Sequence, residues 1–148
     1  AAALTLAKTP LVILDMGTAT TVTVVDEKNA ILGTIIIPGL QTSMHALCTS
    51  AAQLGDIPLD GKPELIGRDT RASISSGVLN GSALMIDGFV RSIREALDTK
   101  ARGTSLSLLA TGGSFTAVEP LLRNKFAYSD TLTLFGEAVL YAQNCKIV

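Results

Sequence analysis

The segment Leu11-Val12-Ile13-Leu14-Asp15-Met16-Gly17-Thr18 determines the fold that we expect for this chain. Its first four residues form a short apolar run typical of a buried strand, and its last four have the composition of a tight turn. The next run, 20–25, is rich in Thr and Val, residue types that favour strands. Since so short a connection joins antiparallel strands, the segment predicts a β-hairpin with Asp15 and Gly17 at its tip.

This hairpin is the centre of a longer series of predicted elements. A polar turn at 26–29 leads to a third strand at 30–37, which Pro38 and Gly39 end, so the first third of the chain predicts a three-strand antiparallel meander. The other predicted elements are a helix end at 1–8, a helix at 40–54 with Leu40, Met44, Leu47 and Ala51 on one face, a loop at 55–67, one or two helices from Asp69 to about 98, a strand at 105–110, a tight turn at 111–114, and helices at about 115–124 and 134–144. This order predicts an α/β domain in which the meander is extended by a further strand and helices pack on the sheet.

The composition excludes several classes of protein. The length of 148 residues suggests one domain, or one lobe of a larger protein, and 47% hydrophobic against 17% charged residues excludes a disordered chain. A formal net charge of −1 gives little attraction to a phosphate backbone, so we expect no nucleic-acid partner. The uncharged stretch between Lys28 and Asp56 is interrupted by Pro38, Gly39 and polar side chains, so we expect no membrane span there.

Three further features of the sequence are expected to be structural. The start of the chain is too short for a secretion signal, and Cys48 and Cys145 share no metal-binding or redox spacing, so we expect free thiols and a cytoplasmic location. His45 is the single histidine and has no evident partner, which favours a core or interface residue over a catalytic one. The methionines and the four phenylalanines, Phe89, Phe115, Phe126 and Phe135, are expected in the core.

The turn from Asp15 to Thr18 is a candidate phosphate-binding turn. Gly17 allows the backbone to approach a ligand closely, and backbone N–H groups in such a turn can bind an anion. Thr18 adds a hydroxyl donor, whereas the Asp15 carboxylate can hold a cation beside a phosphate but cannot donate to the phosphate itself. The alternative is an ordinary hairpin turn stabilised by its Asp side chain.

Two other motifs are candidate binding segments. In Thr111-Gly112-Gly113-Ser114, the glycines between a strand and a helix would let a nucleotide lie against bare backbone, although a plain connecting turn has the same composition. Gly67-Arg68-Asp69-Thr70-Arg71 places two guanidinium groups beside a helix-capping pair, and Arg pairs bidentately with carboxylates and phosphates. The alternative for this segment is a solvated helix start.

These motifs, in this order, resemble the ASKHA fold of acetate and sugar kinases, Hsp70 and actin, and more specifically the type III pantothenate kinases. The resemblance extends over almost the whole chain. The matching segments are L-V-I-L-D-M-G-T-A-T-T-V (11–22), L-G-T-I-I-I-P-G-L (32–40), the helix with Ser43, Leu47 and Thr49, I-G-R-D-T (66–70), S-G-V-L-N-G (76–81), I-D-G-F-V (86–90), A-T-G-G (110–113) and L-F-G-E-A-V-L-Y-A-Q-N (134–144). Two positions depart from the family pattern, because Thr34 replaces a glycine and Asp69 replaces an asparagine.

The resemblance implies a ribonuclease H-like (ASKHA/actin-like) domain and a role for individual residues. Asp15 matches the family's monovalent-cation ligand, Thr18 its ATP-contacting threonine within the Gly17 turn, and Thr70 its pantothenate-contacting threonine. Gly112 and Gly113 match the turn beside the adenosine. The implied reaction is transfer of the γ-phosphoryl group of ATP to pantothenate, the first step of coenzyme A biosynthesis, with Mg²⁺ accompanying ATP and K⁺ or NH₄⁺ near Asp15.

The resemblance also implies that residues 1–148 form a single lobe that matches the C-terminal half of a two-lobe, homodimeric kinase. An N-terminal lobe would carry the second phosphate loop and the general base, so we expect no catalytic acid or base in this chain and no activity from it alone. Two alternatives remain open: a non-catalytic relative with a regulatory or scaffold role, which the changes at Thr34 and Asp69 would fit, and an ASKHA enzyme acting on another small metabolite.

Overall fold

A computed structural model describes residues 1–52, 57–59, 61–97 and 103–145 of the chain. Its strands form one five-stranded sheet in the order β3-β2-β1-β4-β5. The strands are β1 (Leu11–Met16), β2 (Ala19–Val25), β3 (Ile31–Pro38), β4 (Ser107–Thr111) and β5 (Ala127–Tyr128). The first three are antiparallel neighbours, whereas β4 lies parallel to β1 and β5 parallel to β4, so the predicted meander extended by a further strand is confirmed.

Helices cover both faces of the sheet. They are α1 (Ala2–Leu6), α2 (Leu40–Leu47), α3 (Thr70–Ala96), α4 (Phe115–Val118) and α5 (Leu132–Asn144). On one face, α2, α3 and α4 enclose the larger hydrophobic core around Val12, Leu14 and Val22. On the other face, Leu11, Val25 and Leu109 pack in a smaller cluster with the alanines of α1 and Leu132 of α5. No helix in the described ranges is both long enough and apolar enough to cross a bilayer.

Helix α3 is a single helix of 27 residues that is anchored at two places. At its start, the Asp69 side chain accepts a hydrogen bond from the backbone N–H of Ala72 at 2.8 Å, as expected of an N-cap. Further along, the Asp87 carboxylate accepts from the backbone N–H groups of Arg123 and Asn124 at 2.9 and 3.1 Å. One helix therefore holds both the loop that precedes it and the segment that leads to β5.

The helix predicted at 40–54 is shorter than expected. Regular α-helix ends at Leu47 and a π-helical turn, Cys48–Ala52, follows; residues 53 and 54 lie outside the described residues. The buried residues after Leu40 and Met44 include Cys48, whereas Leu47 is 41% exposed, so its predicted place on the buried face is wrong. The buried residues Leu40, Met44 and Cys48 are four positions apart, so the buried face follows the i, i+4 spacing of an α-helix and Leu47 lies beside it.

Two predictions in the second half of the chain are also wrong. Regular helix stops at Val118 instead of about 124 and becomes a 3₁₀ turn, because Pro120 lacks the N–H that an α-helix needs. The two-residue strand β5 was not predicted. Phe135 and Met85 are 42% and 36% exposed, so they are not core residues, whereas Phe115 is fully buried.

We predict that Phe115→Ala destabilises the chain by about 3–5 kcal/mol, since a fully buried ring would leave a cavity. Phe135→Ala is the matched control, and we expect a clearly smaller loss of about 1 kcal/mol because this residue is 42% exposed and its ring is not enclosed by the core. Urea unfolding followed by circular dichroism measures both. Equal losses in the two variants would contradict the described core.

Candidate functional site

The turn between β1 and β2 is held from one side by the start of α2. The carbonyl of Thr18 accepts hydrogen bonds from the backbone N–H of Gly39 at 3.2 Å and from the Thr42 hydroxyl at 3.1 Å. Any Cβ at Gly39 would overlap that carbonyl, so the two backbones are in direct contact. Gly17 and Thr18 are themselves exposed, which leaves the Thr18 hydroxyl and the outer side of the turn open to a ligand.

The turn after β4 packs against the other side of the same segment. Gly112 has φ = 93°, and a Cβ built on it would lie 2.5 Å from the carbonyl carbon of Met16. The backbone N–H of Ser114 donates to the Met16 carbonyl at 3.1 Å. The two turns that the sequence predicted as ligand-binding segments therefore lie side by side, joined backbone to backbone.

Gly113 differs from its neighbour, because it is exposed and a Cβ there would meet nothing within 4 Å. The Asp15 carboxylate lies beside Gly17, because its Oδ1 atom is 3.5 Å from the position that a Cβ on Gly17 would take. The candidate site thus has bare backbone on both of its turns, with one half-buried carboxylate between a strand and its turn. Such a surface suits a ligand that carries both negative charge and a counter-cation.

Tyr128 on β5 is a residue of this region that the sequence analysis missed. Its ring stacks on Phe115 with centroids 5.1 Å apart, and its hydroxyl donates a long 3.4 Å contact to the Gly112 carbonyl. The signal in the sequence is weak: the short run Phe126-Ala127-Tyr128 has strand-forming aromatics but is too brief to stand out. Tyr128 braces the glycine turn from the side away from β1.

A preformed site for a divalent metal is not part of this arrangement. The described residues contain no group of three or more His, Cys, Asp or Glu side chains that could hold a metal ion. Asp15 supplies a single carboxylate, which fits a weakly held cation better than a structural divalent ion, since divalent sites usually gather more carboxylates. Cys48 and Cys145 are free, as predicted.

Thr70 is not hydrogen-bonded to the two glycine turns. It is the first residue of α3 and is exposed, next to the capping Asp69. Arg68 forms an exposed ion pair with Glu64 at 3.6 Å, so its guanidinium faces that residue. His45 is exposed on α2, so it is not a core residue, and its other predicted place, at an interface, stays a prediction.

The profile of the type III pantothenate kinases matches residues 1–92. The chain belongs to the type III pantothenate kinase family. Among members of this family, the enzyme of Thermomicrobium roseum is 38% identical over 127 residues, and that of Rubrobacter xylanophilus is 39% identical over 138 residues. These alignments cover 86% and 93% of the chain but 47% and 52% of the relatives, so the chain spans about half the length of the curated relatives it matches.

Solved structures show the same fold at lower identity. A Campylobacter jejuni protein assigned to the Baf family of transcriptional activators has a TM-score of 0.64 and 20% identity, and the match covers 97% of this chain and 61% of that one. The ethanolamine utilization protein EutJ from Carboxydothermus hydrogenoformans has a TM-score of 0.51 and 18% identity, with 93% and 51% covered. The chain thus has the ASKHA, actin-like ATPase fold that the sequence resemblance implied.

We predict that Gly112→Ala costs about 1–3 kcal/mol of stability, because a Cβ would strain the positive φ and overlap the Met16 backbone. Gly113→Ala serves as the neighbouring control and should change stability by about 0.5 kcal/mol or less. Chemical denaturation of both variants provides the comparison. If Gly112→Ala is as stable as Gly113→Ala, the two turns are not packed as described.

Proposed function

We propose that this chain is the C-terminal lobe of a pantothenate kinase that transfers the γ-phosphoryl group of ATP to pantothenate. The observation that carries the proposal is the backbone contact between Gly112 and Met16, which brings two glycine-containing turns together in a chain of this family. Phosphoryl transfer depends mainly on positioning and charge stabilisation, and paired turns of this kind can supply both.

In this proposal the nucleotide lies across the two turns. The backbone at Gly17 and the hydroxyl of Thr18 would bind its phosphates, since both are exposed and both carry hydrogen-bond donors. Gly112 and Gly113 would lie beside the adenosine, where the open space at Gly113 admits a ligand. Mg²⁺ bound to ATP would neutralise charge on the phosphates, and Asp15 would hold K⁺ or NH₄⁺ beside them.

The acceptor would bind near Thr70 at the start of α3. The free N–H groups and positive dipole of a helix N-terminus favour a carboxylate such as that of pantothenate. Asp69 already accepts from Ala72, so one of these N–H groups is engaged by the protein itself. Asp69 carries negative charge where the family pattern has asparagine, so an anionic acceptor is repelled there more than in the family at large.

In this proposal, the general base and the second phosphate loop belong to a further lobe. No residue of this chain is assigned as general base, and the complete enzyme would be a cytoplasmic homodimer with two phosphate loops in each subunit. The relatives are about twice as long as the matched region, which supports a second lobe of similar size. The alternatives to this proposal are a non-catalytic role and a different acceptor, and turnover measurements distinguish them.

We predict that the purified 148-residue chain does not phosphorylate pantothenate, because the hydroxyl nucleophile has no positioned base. Joining the N-terminal half of the Rubrobacter xylanophilus relative before Ala1 should produce turnover, measured as ADP release with pantothenate, ATP and K⁺. Turnover by the chain alone would contradict the lobe assignment. A joined protein that binds ATP but phosphorylates no acceptor in a panel of hydroxyl compounds would favour the non-catalytic alternative.

We predict that Thr70→Ala in the joined protein raises the KM for pantothenate several-fold, with a much smaller change for ATP, since one hydrogen bond contributes about 0.5–1.5 kcal/mol. Asp69, not Thr70, caps α3, so the melting temperature should stay nearly unchanged. Asp69→Asn keeps a capping side chain and removes the charge, so it should preserve or improve pantothenate use. A lower melting temperature in Thr70→Ala with both KM values unchanged would reject the substrate role.

A further inference from the structure

A groove lies between the second half of α3 and the segment that precedes β5. Its volume is about 460 Å³, and arginines lie on both of its walls: Arg91 and Arg94 on α3, and Arg123 on the segment before β5. Gly88 of α3 also lines the groove, and a Cβ on this residue would meet nothing within 4 Å. The groove is therefore open beside α3 and has room for a small molecule.

Asp87 holds the two walls of this groove together. Its carboxylate accepts hydrogen bonds from the backbone N–H groups of Arg123 and Asn124 at 2.9 and 3.1 Å, and from the Asn124 side-chain amide at 2.6 Å. The Nη1 atom of Arg94 donates to the Oδ1 atom of Asn124 at 2.7 Å. Both oxygens of the single carboxylate among the described lining residues are thus bonded to protein donors, which offset part of its negative charge.

The side chains of Arg91 and Arg123 remain available to a ligand. Both residues are exposed, and within the described ranges neither guanidinium group has a hydrogen bond or ion pair. Three arginines and one aspartate give the described lining a formal charge of +2. The helix dipole explains a cation in the last turn of α3, such as Arg94, but Arg91 lies a turn earlier and Arg123 lies on another segment. The surplus of positive charge thus favours an anionic ligand.

This groove lies at the opposite edge of the sheet from the two glycine turns. Strand β5 runs parallel to β4 and pairs with it at Leu109 and Ala110, so the residues before β5 lie toward the start of β4, whereas Gly112 follows its end. Leu97, at the end of α3, likewise lines a cavity with Val24, near the end of β2 that is farther from the hairpin turn. A ligand in the groove therefore does not occupy the glycine turns.

Guanidinium groups pair bidentately with phosphate oxygens, and two of them on facing walls suit an anion that carries more than one negative charge. We infer that the groove binds a small phosphate-bearing molecule between Arg91 and Arg123, at a second site outside the two glycine turns. A phosphate held there links α3 to the segment before β5, alongside the hydrogen bonds of Asp87. The site is independent of the kinase assignment, because none of these residues belongs to the proposed nucleotide or acceptor site.

The test titrates the isotope-labelled 148-residue chain with sodium pyrophosphate at constant ionic strength and follows its amide NMR signals. Pyrophosphate should shift the signal of Gly88 in a saturable way, while Gly17 and Gly113 report separately on the glycine turns. Arg91→Gln and Arg123→Gln should each weaken the affinity measured at Gly88 about 3- to 10-fold, since each removes one charge-assisted contact. The double variant should show no saturable shift there. The spectra themselves show whether each variant is folded.

Lys125→Gln is the matched control, because Lys125 is an exposed cation close to Arg123 in the chain that is not among the described lining residues. This variant should keep the wild-type affinity. The groove is rejected if pyrophosphate gives no saturable shift at Gly88, if the shifts are confined to Gly17 and Gly113, or if Lys125→Gln loses as much affinity as Arg123→Gln. Malonate, a dicarboxylate, tests the chemistry of the ligand: equal affinities for malonate and pyrophosphate would reject the preference for phosphate.

Discussion

The arrangement of the candidate site depends on a contact between two stretches of backbone. Gly112 lies so close to Met16 that no side-chain carbon fits between them, and the Ser114 N–H bonds to the Met16 carbonyl next to this contact. On the other side of the turn, Gly39 makes a similarly close approach to Thr18. The turn at the tip of the hairpin is thus packed between two glycines, and its outer surface is exposed.

Helix α3 gives these local contacts a common frame. At its N-terminal end, the Ser76 hydroxyl donates to the Leu65 carbonyl at 2.7 Å, which holds the loop beside Thr70. Toward its other end, Asp87 holds the backbone of Arg123 and Asn124, just before the strand that carries Tyr128. The segment proposed for the acceptor and the segment that braces the nucleotide turn are therefore both attached to one element.

The sequence predicted best what depends on local pattern. Apolar runs with short polar connections fixed the three-strand meander, and the Asp69 cap was recognised from its oxygen side chain and confirmed. Features that depend on contacts between distant parts of the chain were harder to predict. Nothing in the spacing of Phe126 to Tyr128 indicates that two residues extend the sheet, and the apolar sequence of α5 gave no sign that Phe135 faces solvent.

The candidate site was predicted as separate motifs, and their assembly needed the structure. Each glycine turn was found from its composition, but the pairing of Asp15 with Thr111 is set by the parallel register of two strands far apart in the chain. Periodicity carries no information about such a register.

The distance along the chain between β1 and β4 also has a consequence for how the molecule folds. The hairpins of the meander make local contacts, whereas β4 can pair with β1 only after the intervening helices have closed a long loop, which is slow. Until then β1 presents an unpaired, apolar strand edge, the kind of surface through which partly folded chains aggregate. Because Gly112 meets Met16 only when β4 is paired with β1, the candidate site forms no earlier than this long-range pairing.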